Sequence, residues 1–101
     1  MSPELKAHQQ TIRQQMIALL SEGQMSAREL SQAIGIREKV VYEHLTHMAR
    51  SVASQRKKLI VLPFRCLNCG YVFKERKRFT PAGRCPHCKK THLERPTYQV
   101  V

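Results

Sequence analysis

Cysteine occurs four times, as two CxxC pairs: Cys66 with Cys69, and Cys85 with Cys88, with fifteen residues between the pairs. A CxxC turn brings two thiolates to one side of a metal ion, and two such turns joined by a hairpin supply four soft ligands at the corners of a tetrahedron. The complete set, with no cysteine left over, predicts one structural Zn2+ in the last third of the chain. A shell closed by four thiolates leaves no open position for a catalytic water.

Two other uses of these cysteines fit less well. Disulfides need an oxidising compartment, and the chain opens Met1-Ser2-Pro3-Glu4 with neither a basic nor an apolar targeting segment, so a cytoplasmic protein is expected. A thioredoxin-like redox site needs a βαβ setting, whereas the short apolar runs here read as hairpins.

The remaining chemistry is set by charge. The formal net charge is +11 over 101 residues. Residues 1–55 hold six Lys/Arg against five Glu, a net of +1, and residues 56–101 hold twelve against two, a net of +10. So concentrated an excess is a footprint for a polyanion, nucleic acid before a membrane surface. No Asp occurs, and the seven acids are Glu spread along the chain, so paired-carboxylate and hard-metal catalysis lack their residues. An enzyme is not expected, nor is a membrane-spanning segment.

The elements that would position these groups read as α+β. A first helix is expected from Pro3 to about Leu20 with Leu5, Ile12, Met16, Leu19 and Leu20 on one stripe, stopped by Gly23. Ser26-Ala27-Arg28-Glu29 is a capping box, opening a second helix that turns Leu30, Ala33 and Ile34 inward and ends at Gly35. A third helix begins within Ile36–Lys39 and runs to about Ala53, with Val40, Val41, Leu45, Met48 and Val52 inward. Two helices joined by a short turn containing Gly form a helix-turn-helix. Side chains out of phase with the buried stripe are then the readers of a major groove: Arg37, Glu38, Lys39, Tyr42, Glu43 and Thr46.

The segment Ala27–Ile36, followed by Val41-Tyr42-Glu43-His44-Leu45, resembles the helix-turn-helix of winged-helix repressors. With its cysteines, the chain resembles small prokaryotic predicted transcriptional regulators that fuse a winged helix-turn-helix to a C-terminal zinc ribbon. The resemblance implies DNA binding and regulation. A winged helix normally adds a two-stranded hairpin after the recognition helix. Only one candidate strand, Lys58–Leu62, precedes the first cysteines, so the wing is either absent or replaced by the ribbon.

The expected division is a helix-turn-helix domain over residues 1–57 and a zinc ribbon over 58–101. Within the ribbon, the runs at Tyr71-Val72-Phe73, Phe79 and Thr97–Val101 read as strands, Pro63, Pro81, Pro86 and Pro96 as turns or edges, and Tyr71, Phe73, Phe79 and Tyr98 as its core. Arg56, Lys57 and Lys58 after the third helix, with Lys74, Arg76, Lys77 and Arg78 on the ribbon hairpin, are the expected phosphate contacts. His44 and His47 lie three apart on the third helix and suit packing or a solvated face better than metal; His87 should point away from the ion. Double-stranded DNA is the expected partner, with RNA polymerase or another transcription component and a homodimer through the first helix as further expectations. The competing classes are an adaptor of the transcription machinery with non-specific DNA affinity, and an RNA- or single-strand-binding ribbon protein.

Overall fold

In the computed structural model, which describes residues 3–74, 76–80 and 82–101 and side chains from Thr11 onward, the capping box forms as its spacing requires. The Glu29 amide donates to the Ser26 hydroxyl at 3.2 Å, and the Ser26 amide donates to the Glu29 carboxylate at 3.0 Å. The expected places of the Leu5 side chain and of Pro81 lie outside the described residues.

Three helices and five short strands follow in the order α1 (Pro3–Glu22), β1 (Met25–Ser26), α2 (Ala27–Ile34), α3 (Glu38–Ala53), β2 (Leu59–Val61), β3 (Phe64–Arg65), β4 (Val72–Phe73) and β5 (Thr97–Val100). Gly35 adopts φ 81°, the left-handed conformation that closes α2, and its amide donates to the Ser31 carbonyl at 2.8 Å. The Ser31 hydroxyl ties the turn down on the Ile36 carbonyl. The three helices surround Met16, Leu20, Leu30, Val41, Leu45, Met48 and Val52, all fully buried. Ala33, expected inward, is exposed, while Ala27 at the start of α2 is buried in the core.

The strands depart from a simple two-domain order. β5 lies at the centre of a three-stranded antiparallel sheet, β1-β5-β2, with Met25 opposite Tyr98 and Leu59 opposite Val100. Tyr98 is fully buried and Val100 nearly so, both within the helical core. The last strand of the chain therefore completes the core of the helices. Tyr98, expected in the ribbon core, belongs instead to the helices. Phe79 is not a strand residue: its ring packs on Tyr98 with centroids 6.2 Å apart, and its carbonyl accepts from the Tyr98 hydroxyl.

Residues 62–96 leave the sheet after β2 and return to it at β5. Their base is zipped by the antiparallel bridge between Cys66 and Leu93, by the Leu67 amide on the His92 carbonyl at 2.8 Å, and by the Glu94 amide on the Arg65 carbonyl at 2.9 Å. Within the excursion β3 and β4 pair, placing Phe64 opposite Phe73 with the two rings stacked at 4.4 Å. Tyr71 meets Phe73 edge-on at 5.2 Å. The ribbon core is therefore the buried Phe64 with the half-buried Phe73, while Tyr71, expected in that core, is exposed and only edges onto Phe73. No described helix is long and apolar enough to cross a membrane.

Candidate metal centre and nucleic-acid interface

The two CxxC turns are built alike. In the first, the Gly70 amide donates to the Cys66 carbonyl at 2.9 Å and the Cys66 amide to the Tyr71 carbonyl at 2.8 Å. In the second, Lys89 donates to Cys85 and Cys85 to Lys90 over the same two distances. Each turn needs a left-handed residue after its second cysteine, Gly70 at φ 81° and Lys89 at φ 65°. That conformation lets the Tyr71 and Lys90 amides donate to the sulfurs of Cys69 and Cys88. The His87 amide donates to the Cys85 sulfur at 3.4 Å, while its ring stacks parallel to Tyr71 at 6.3 Å.

All four sulfurs lie within 4.8 Å of one another, with Cys66 to Cys88 and Cys69 to Cys85 at 3.6 Å and no disulfide among them. A tetrahedron with Zn–S bonds of about 2.3 Å has edges of about 3.8 Å, so the cage fits one Zn2+. The Lys90 amide draws the Cys88 thiol below its usual range, while Cys69 is raised by its neighbouring sulfurs despite the Tyr71 amide, so the four thiols give up their protons as one coupled set. Cys66 and Cys85 are buried and Cys69 is exposed, so the ion is a structural element close to the surface.

The α3 surface differs from the sequence expectation at its first turn. Lys39, Glu43 and Thr46 are exposed, as expected, and Arg37 is exposed just ahead of the helix. Glu38 and Tyr42 are not free. The Tyr42 hydroxyl donates to the Glu38 carboxylate at 3.2 Å, Arg95 sits on the same oxygen at 3.5 Å, and the Tyr42 ring leans on the core. Burial, and then the Glu38 charge, push the Tyr42 phenol up to about 12. These two side chains fasten the ribbon's exit to α3. The exposed stripe continues instead through His47 and Arg50, both one further turn along in the phase of Lys39 and Glu43. Continuing that phase past Thr46 was the signal in the sequence that identifies them.

His44 is buried, accepting at Nδ1 from the Arg13 Nε at 3.0 Å, and burial and then the Arg13 charge hold its pKa below the usual 6.5. It braces α1 against α3. Of the expected phosphate contacts, Arg56 and Lys57 follow α3 directly and are exposed, with Arg56 at φ 61°. Lys58, Lys74, Arg76 and Lys77 come together around one groove beside β2, and Arg78 is exposed outside it.

No curated protein matches the chain. Residues 11–60 match the family described as "PF0610-like, N-terminal", and residues 63–101 match the "PF0610 rubredoxin-like zinc beta-ribbon domain". The solution NMR structure of protein PF0610 from Pyrococcus furiosus superposes with a TM-score of 0.74 at 32% identity, over 90% of this chain and 89% of that one. The pairing of a three-helix unit with a four-cysteine ribbon is thus shared in sequence and in fold, and the chain belongs to the PF0610-like family.

Proposed function

We propose that the protein is a DNA-binding transcriptional regulator, a winged helix-turn-helix whose wing strands, β2 and β5, carry the zinc ribbon at their tip. The observation that carries this reading is the polarised surface of α3. Glu38 is paired with Arg95, which leaves Arg37, Lys39 and Arg50, and beyond the helix Arg56 and Lys57, exposed against Glu43. Within residues 1–55, whose net charge is near zero, Arg37, Lys39 and Arg50 thus form a positive face, which Arg56 and Lys57 extend. A major groove admits such a helix, with Lys39 within reach of guanine O6/N7, Glu43 of cytosine N4, and Arg50, Arg56 and Lys57 placed for phosphate. The metal holds the ribbon together and takes no part in a reaction; binding, not catalysis, is the activity.

Selection from a random duplex pool tests this, followed by titration of the enriched duplex at several salt concentrations. One enriched motif is expected, and each of Arg50→Gln and Lys57→Gln should weaken binding to all duplexes and reduce the salt slope by roughly one unit for each phosphate no longer neutralised. A pool that enriches nothing, or slopes that do not change, refutes the reading.

A further inference from the structure

β2 is the edge strand of its sheet, and among the described residues no second strand pairs with it. On its inner side Lys58 exchanges both backbone hydrogen bonds with Val101, at 2.9 and 2.8 Å, and the Leu62 amide donates to the Thr97 carbonyl at 2.9 Å. Antiparallel pairing alternates, so the N–H and C=O groups of Leu59 and Val61 point away from β5. A groove of about 700 Å³ runs along this strand, with β2 and its flanks on one side and Lys74, Arg76, Lys77 and Phe79 on the other. Leu59 and Val61 also pack on the helical core, which fixes the strand.

The lining selects among occupants. Lys58, Lys74, Arg76 and Lys77 surround an apolar floor, with no acid among the described lining residues. A second copy of the chain would bring the same four cations against these, so edge-to-edge pairing of two copies is opposed. A DNA duplex is too wide to enter, and its phosphates gain nothing from Leu, Ile and Val. The Nε of Arg76 is buried with no hydrogen-bond partner among the described residues, although its Nη2 donates to the Thr80 carbonyl at 2.9 Å.

We propose that this groove binds an extended acidic segment of a partner protein, which adds as a strand to the free edge of β2 with its apolar residues on the floor and its carboxylates on the four cations. Main-chain hydrogen bonds from Leu59 and Val61 set the register, and the ring of cations sets the charge preference.

The test uses the zinc-loaded full chain, 15N-labelled, titrated with a short blocked peptide of alternating Glu and Val. Expected are amide shifts confined to residues 58–62 and 74–79, slowed exchange of the Leu59 and Val61 amides, and a roughly tenfold loss of affinity in the doubly reversed variant Lys58→Glu/Lys77→Glu. Both substitutions are at the surface, and an unchanged spectrum of the helical core shows that the variant is folded. A peptide N-methylated at alternate residues keeps every charge but cannot pair, and should not bind. The proposal is overturned by absence of binding, by equal binding of the N-methylated peptide or of polyglutamate, or by an unaffected double variant. It is equally overturned if a single-stranded oligonucleotide protects the same amides in preference to the peptide, or if the free chain self-associates through them.

Discussion

Removing zinc tests whether the helical unit holds its last strand by its own packing. With metal bound, the bridge from Cys66 to Leu93 and its neighbouring hydrogen bonds make residues 62–96 behave as a short connection between β2 and β5. Without metal the ribbon keeps only a small aromatic core, and this segment becomes a flexible loop of about 35 residues. Closing about 35 residues in place of about four adds a little over three doublings of loop length, or about 2 kcal/mol of entropy against pairing β2 with β5. Loss of the Tyr98 hydroxyl's hydrogen bond to Phe79 adds about 1 kcal/mol. Against this total of about 3 kcal/mol stands the burial of Tyr98 and Val100, worth about 3–6 kcal/mol, to which the backbone pairing of β5 with β1 and β2 adds. The strand should therefore stay docked, and the helical unit should melt roughly 10–25 °C lower than with zinc, given about 4–8 °C per kcal/mol for a unit of this size. Circular dichroism at 222 nm during thermal melts with and without a zinc chelator reads the shift, and amide spectra show which residues have lost dispersion. Collapse of the helical signal at ambient temperature on chelation would refute this balance of energies, because β5 would then depend wholly on the ribbon. An unchanged melting temperature would refute it from the other side.

His44 is held neutral with its pKa below 6.5, so the unfolded chain binds the proton more readily; stability should be complete above about pH 6.5 and fall as the pH drops below that value. Denaturant melts across that range measure it, and replacing His44 by Gln should remove the dependence. Tyr98→Phe leaves the core filled but strips the donor from the Phe79 carbonyl, and should destabilise by about 1 kcal/mol in denaturant melts. Lys89→Gly relieves a left-handed side chain at φ 65° and should raise the zinc-bound ribbon's resistance to a competing chelator by about 1 kcal/mol. Gly70→Ala should lower it by a similar amount, since nothing lies within 4 Å of the added Cβ and only the backbone at φ 81° opposes it.

The parts legible in the sequence were those with local causes. The capping box, the turn at Gly35 and the span of α3 each depend on residues a few positions apart, and all three form as their spacing requires. The four-cysteine cage was legible for a related reason: ligand chemistry prescribes the spacing whatever the surroundings. What the sequence did not show was which partner a segment chooses across the chain. Thr97–Val100 alternates like any half-buried strand, and nothing within it distinguishes the neighbouring ribbon from a helical core tens of residues earlier. β1, only two residues long, is below what a pattern can reveal, and it exists because β5 lies beside it. Phe64, the main partner of Phe73 in the ribbon core, follows Pro63 and reads as loop.

The position of β5 also changes what the ribbon does to α3. Because the excursion starts and ends on strands that pack against the helical core, the folded ribbon fixes Arg95 where it can hold Glu38, and through Glu38 the hydroxyl of Tyr42. Glu38 and Tyr42 are thereby committed to an internal contact, and the exposed face runs from Arg37 and Lys39 through Glu43 toward His47 and Arg50. An exposed ion pair of this kind contributes well under about 1 kcal/mol to stability. Its consequence is positional: Arg95 neutralises the acid of the first turn, next to Arg37 and Lys39, and leaves Glu43 as the exposed acid on that face. Arg95→Gln should therefore leave the melting temperature almost unchanged while releasing the Glu38 charge onto the reading face, weakening duplex binding uniformly. A variant that binds as well as the parent would show that Glu38 and Arg95 lie outside the electrostatic reach of the bound duplex.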